Sequence, residues 1–217
     1  MKKLISTALT IILLPFAVYS AETRIGISGA FSSFDTSGTE TTKSSNQKNS
    51  TSKTEDAVVP GLFIERVNDQ GLAFGFEFNP GEAELGSGTG SDDDAETSGA
   101  NKASAEVSGH MSVYGLVPLG AAYFRIGFVR ASVDTTETLA TGTKYGNEDV
   151  NGKMFGLGIQ KDLASAFVRV EATYTDYDDL KFLGSFNGNA AGDSANRNTV
   201  DADIDATAIK LSLGKSF

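Results

Sequence analysis

The chain has no cysteine and no tryptophan, and only one histidine and four prolines in 217 residues. Without cysteine there is no disulfide framework, no iron–sulfur cluster and no thiolate zinc site. His110 alone remains for imidazole-based metal or acid–base work. Cations are also in the minority: 18 Lys and Arg stand against 28 Asp and Glu, a net charge of −10. Phosphate recognition needs a basic patch, so nucleic acid is not an expected partner. Long apolar runs are missing beyond the first twenty residues, and no later stretch reads as a spanning helix.

The one apolar run opens the chain. Lys2 and Lys3 precede the stretch 4–18, and Val18 and Ser20 sit three and one residues before an expected cleavage site. This is the pattern of a secretory signal peptide over residues 1–20, leaving 21–217 as one domain. Ser6, Thr7, Thr10 and Pro15 interrupt the run and argue against a membrane helix. Loss of Lys2 and Lys3 takes the net charge from −10 to −12. Export without disulfides calls for another source of stability, such as a large core or a closed sheet.

Eight segments alternate apolar with small or polar residues, at 24–34, 58–67, 72–79, 106–117, 122–133, 154–161, 166–175 and 206–217. Their period of two predicts strands, and most have about the 9–11 residues a tilted strand needs to cross a bilayer. Their links alternate strictly between short (68–71, 118–121, 162–165) and long (36–56, 80–104, 134–153, 176–205). An up-and-down sheet with that alternation carries every long loop at one end, as transmembrane barrels do. The first long link, rich in Ser, Thr, Lys and Asn, reads as disordered.

Parity then separates two faces. One carries Ile25, Ile27, Phe31, Val58, Leu62, Ile64, Phe74, Phe76, Phe78, Val107, Met111, Val113, Ile126, Phe128, Leu157, Val170, Ile209, Leu211, Leu213 and Phe217. The charges in phase with it, Arg66, Arg130, Lys161 and Lys215, all fall at strand ends. A bilayer imposes that restriction, since a lipid-facing Lys or Arg costs ~2–4 kcal/mol at the midplane and little near the interfaces. The other face carries Arg24, Glu65, Glu77, Glu106, His110, Arg125, Arg169, Glu171 and Lys210 among Gly, Ser and Thr. Four carboxylates against four strong cations predict a lumen of paired charges rather than a ring of one sign.

Ile209, Leu211, Leu213 and Phe217 resemble the C-terminal assembly signal of bacterial outer-membrane barrels. The pattern of 21–217 as a whole resembles the small eight-stranded group that includes the OmpA transmembrane domain and OmpX-like proteins. That resemblance implies a closed antiparallel up-and-down barrel in the bacterial outer membrane, reached through the periplasm with help from the barrel-assembly machinery. It further implies a monomer with long external loops, short periplasmic turns and contact with outer-membrane lipid and lipopolysaccharide. Lys215, where an aromatic is common, and the lack of tryptophan depart from the pattern.

A structural or surface-interaction role follows, with a narrow porin-like channel as the alternative. A soluble lipocalin-type barrel and a lumen-based enzyme rank lower. For catalysis the lumen face offers only His110 with Ser108 and Ser112, and no orienting partner is visible. No cofactor is expected. Of the acidic stretches Asp92, Asp93, Asp94 and Asp201, Asp203, Asp205, the second superficially suggests a calcium loop but lacks its Gly and Glu, and an acidic, hydrated loop is the plainer reading, so no specific metal site is expected. A looser role remains for them and for Arg130, namely contact with lipopolysaccharide, through divalent cations for the carboxylates and directly for the arginine.

Overall fold

The computed structural model describes residues 20–42, 47–94, 97–139, 144–185 and 198–217. The expected signal peptide, apart from Ser20, lies outside the described residues, as do the side chains of Asp92, Asp93 and Asp94. Ten strands follow in chain order: β1 (Ser20–Thr42), β2 (Gln47–Asn68), β3 (Ala73–Asn79), β4 (Ala83–Asp94), β5 (Thr97–Leu119), β6 (Ala122–Thr138), β7 (Glu148–Leu163), β8 (Ala166–Tyr177), β9 (Leu180–Leu183) and β10 (Thr199–Ser216). β3 and β4 are successive parts of one stave, both paired with β5, and β8 and β9 are both paired with β10. Ten strands therefore form eight staves. Every pairing is antiparallel, and β1 pairs with both β2 and β10, which closes the ring.

The three tight links have local causes. Asn68 Oδ1 accepts the amides of Gln70 and Leu72 at 3.0 and 2.9 Å, and Gly71 takes φ +81°. Leu119 faces Ala122 across a two-residue turn through Gly120, and Leu163 faces Ala166 across another. At the opposite end the sheet does not dissolve into loops. β1 and β2 stay in register to the pair Thr42–Gln47, and β4 and β5 to Asp94–Thr97. The disordered link expected at 36–56 is thus strand throughout its described residues, and most of 80–104 is strand as well. Ser, Thr and Gly alternate there without apolar partners, so hydrophobic periodicity is silent where the backbone ladder continues. β1 and β5, with 23 residues each, run to about twice the length a bilayer requires.

Two zones result. In the half nearer the tight turns, Phe31, Leu62, Leu157 and Leu211 stand 53–59 % exposed on the outer wall, while charges are buried inside. In the other half Ser, Thr and Asp cover the outside, and Leu85, Val133, Leu180, Phe182 and Ile204 are buried inside. An exposed apolar belt of this extent marks a surface that water does not solvate well.

One assignment by parity fails, and it fails in β5. Ser108 pairs with Ser132 but Met111 pairs with Arg130, so Gly109 and His110 together oppose Ala131. Gly109 has φ +58°, the left-handed conformation that glycine adopts most readily. The extra residue reverses the faces above it. Val107, expected on the belt, is buried in the interior, and Glu106, expected in the lumen, is exposed on the outer wall. Ser108 turns outward with it and donates to Asp134 Oδ2 at 2.7 Å.

Candidate functional site in the barrel lumen

The inward positions of the belt half carry three carboxylates, Glu65, Glu77 and Glu171, and three cations, Arg125, Arg169 and Lys210, none more than 6 % exposed. They form two tiers. In the tier nearer the tight turns, Arg169 grips Glu65 with two parallel bonds, Nη1 to Oε1 at 2.5 Å and Nη2 to Oε2 at 2.7 Å. Gln160 Oε1 accepts from Arg169 Nε at 2.6 Å, and the guanidinium lies 4.5 Å from the Phe167 ring centre. The bidentate fork fixes both side chains in orientation as well as distance.

The second tier is a four-membered cross-link. Glu77 Oε2 accepts from Arg125 Nη2 at 2.6 Å and from Lys210 Nζ at 2.8 Å, and Ser28 donates to its Oε1 at 2.7 Å. Glu171 completes the square, 3.2 Å from Arg125 Nη1 and 3.4 Å from Lys210 Nζ. Tyr114 joins the tiers: its hydroxyl donates to Glu65 Oε1 at 2.7 Å while the Arg125 guanidinium lies 3.6 Å over its ring. Because β2, β3, β5, β6, β8 and β10 all contribute, the contacts run across the lumen rather than along its wall. Burial of single charges is costly, and only such pairing with hydrogen bonds offsets it.

Glycine makes room for this filling. A Cβ on Gly75 would meet Tyr114 Cζ at 2.4 Å, and one on Gly158 would meet Tyr123 at 2.4 Å. Likewise Gly26 faces Phe63 and Gly214 faces Phe167, at 2.3 and 2.2 Å. Each of these four glycines is the direct cross-strand partner of its aromatic. The lumen glycines are therefore covered by rings. The sequence offered this signal, inward glycines opposite inward aromatics, but it appears only once register is known. Until register is known nothing in the sequence separates Tyr114, Phe63 and Phe167 from other alternating aromatics, and Gln160 carries no charge to mark it.

The remaining candidates lie apart. Arg24 pairs with Glu22 next to it on β1 and reaches Gln160 Oε1 at 3.4 Å, at the tight-turn end. His110 Nδ1 is 3.0 Å from Asn79 Oδ1, and its ring meets Tyr177 edge-on at 6.3 Å. Its hydrogen bond thus goes to an amide rather than a serine. Arg130 is held by Asp149, Nη2 to Oδ2 at 2.6 Å, rather than projecting alone. Hydrogen bonds from Ser132 and Arg130 keep the Asp149 carboxyl below the usual carboxylate range.

Asp201, Asp203 and Asp205 alternate along the outer wall of β10. Asp201 faces Lys181 at 3.5 Å, Asp203 accepts from Ser37 at 3.3 Å, and Asp205 accepts from the Tyr174 hydroxyl at 2.8 Å. A hydrogen bond to Asp203 and the charge of that neighbour push the Asp179 carboxyl up. No cluster of three or more metal-ligating side chains occurs among the described residues. Ile209, Leu211, Leu213 and Phe217 line the outer belt, and Phe217 exchanges two backbone hydrogen bonds with Thr23, at 3.1 and 2.9 Å.

No family model matches the chain, and no curated protein matches it. Among solved structures, the outer membrane protease OmpT of Escherichia coli is similar over 91% of this chain and 97% of its own, at 10% identity and a TM-score of 0.53. The attachment invasion locus protein Ail of Yersinia pestis is similar over 90% and 98%, at 10% identity and a TM-score of 0.46. Neisserial surface protein A is similar over 87% and 97%, at 7% identity and a TM-score of 0.38. At such identity the likeness speaks to fold alone, and the OmpT comparison is the one that carries it. The chain has the closed antiparallel barrel fold of bacterial outer-membrane proteins.

Proposed function

We propose that this protein is an outer-membrane barrel with a structural or surface-interaction role, its membrane half closed to solutes and its outer half a wall raised above the membrane. The observation that carries the reading is the neutral cross-lumen square of Glu77, Arg125, Lys210 and Glu171. A porin constriction leaves water between its charged groups; here the groups bond to each other and rings cover the glycines between them. Eight staves enclose a space that side chains can fill, and the exposed belt gives the outer wall a lipid-facing stretch. Export through the periplasm with cleavage near residue 20 belongs to the same reading.

The test is planar-bilayer recording of the protein purified in detergent. Wild type is expected to give no steady conductance. Arg125→Ala leaves Glu77 and Glu171 short of a partner and is expected to open current while lowering stability by ~3–5 kcal/mol, the usual effect of breaking a buried pair. A large, stable, weakly selective conductance in wild type overturns the closed-lumen reading in favour of a channel.

A further inference from the structure

Beyond the charged tiers, in the half with apolar interior, the barrel is not packed solid. A cavity of about 450 Å³ is walled by Leu85, Val133, Tyr145, Leu180, Phe182 and Ile204. The cavity opens to solvent at the end of the barrel, and its volume lies in the ~300–1,000 Å³ range of small-molecule sites. Apolar walls hydrate poorly, so water is a weak occupant. The exposed wall of this cavity is mostly apolar, although Ser, Thr and Asn residues of β1, β2, β4 and β5 also line it. Glu40 accepts from the Tyr145 hydroxyl at 2.5 Å and from Asn198 at 3.5 Å, both on Oε1, so among the described residues these two bonds leave its second oxygen, Oε2, for a further donor. Glu137 also lines the cavity, and together with Glu40 it outnumbers Lys53, the cation there. Tyr145 and Phe182 add aromatic rings of the kind that attract cations.

We propose that this cavity binds a small apolar molecule carrying one cationic head, its body against Leu85, Val133, Leu180, Phe182 and Ile204 and its head at Glu40. The proposal is independent of lumen closure, because the cavity lies on the far side of the charged tiers from the tight turns.

The chain's lack of tryptophan supplies the assay. Phe182→Trp places a single indole in the cavity wall, and the folded protein in phosphatidylcholine nanodiscs is titrated with 1-adamantylammonium, 1-adamantanol and 1-adamantanecarboxylate. These share one apolar cage and differ in charge, so partition into lipid is controlled by the set and by empty nanodiscs. Saturable change in indole emission is expected with the ammonium, at about tenfold tighter binding than the alcohol, and none with the carboxylate. Adding Glu40→Gln is expected to erase the preference for the ammonium over the alcohol without changing the alcohol's own binding. Calorimetry on the unlabelled wild type checks that the indole is not itself the site. Equal binding of ammonium and carboxylate, retained preference in the Glu40→Gln variant, or no saturable response from either method overturns the proposal.

Discussion

The filling of the lumen is decided residue by residue, and glycine decides as much of it as charge. Tyr114 can lie flat across the barrel, bonding Glu65 and supporting Arg125, because Gly75 opposite it has no side chain. Gly75→Ala therefore forces the ring off a position it cannot leave without breaking both contacts. Overpacking of this kind costs ~1–3 kcal/mol, and a shift in the unfolding midpoint of that size is expected in urea titration. Gly29→Ala is the control: Gly29 is exposed, with nothing within 4 Å of its Cβ position, so a near-neutral effect is expected. Equal midpoints for the two variants would show that the rings are not wedged. At this scale the sequence was legible for charge and poor for shape. Parity placed Glu65, Glu77, Arg125, Arg169, Glu171 and Lys210 on one face, since alternation is a property of a single strand. Who touches whom depends on stagger between strands, which no single strand encodes.

At the scale of elements, β5 shows where a period-two reading ends. Seven staves kept their expected faces through the belt, but Gly109 adds one residue and exchanges inside for outside above it. The exchange is useful, because it buries Val107 beside Ala83 and Leu85 and sends Glu106 to the outer wall. Deleting Gly109 would restore strict alternation and move Val107 out of the interior, since a one-residue slip turns every side chain over. The expected result is a barrel whose belt half stays protected in hydrogen exchange while amides of β4 and the first half of β5 exchange freely. Uniform protection across both halves would mean that the bulge is dispensable. The extended hairpins were illegible for a different reason. In β1 beyond Phe34 the sequence is Asp, Thr, Ser, Gly, Thr, Glu, and such a strand has no apolar face to announce it. Its evidence is its partner's backbone, visible only in the folded ring.

For the molecule as a whole, charge is arranged along the barrel axis. Arg66, Lys161 and Lys215 stand on the outer wall near the tight turns, with Lys215 Nζ 4.9 Å from the Phe217 ring centre. Beyond the belt's other edge the wall turns acidic: Asp35 faces Asp205, and Asp205 faces Asp176, in successive cross-strand pairs. Like charges directly opposite each other destabilise a sheet, and anionic lipid phosphates next to this wall would add to the repulsion. Divalent cations would relieve it, which is the form in which contact with lipopolysaccharide through Asp201, Asp203 and Asp205 remains a proposal. The same repulsion fixes a pH response. The Asp179 carboxyl titrates above its ordinary value because Asp203 lies against it, so the folded state holds that proton more tightly than the unfolded chain. Stability is therefore gained as pH falls toward the raised value and is lost again as pH rises through it. Asp149, held low by Ser132 and Arg130, acts in the opposite sense and loses its contribution only below the ordinary carboxylate range. Thermal melting of the protein in neutral detergent is expected to rise as pH falls from 7 toward the ordinary carboxylate range, and to rise with magnesium at pH 7. Asp203→Asn should diminish both responses by removing the charge that raises Asp179. A melting temperature that falls over that pH interval, or responses unchanged by Asp203→Asn, would show that the acidic wall is not under electrostatic stress.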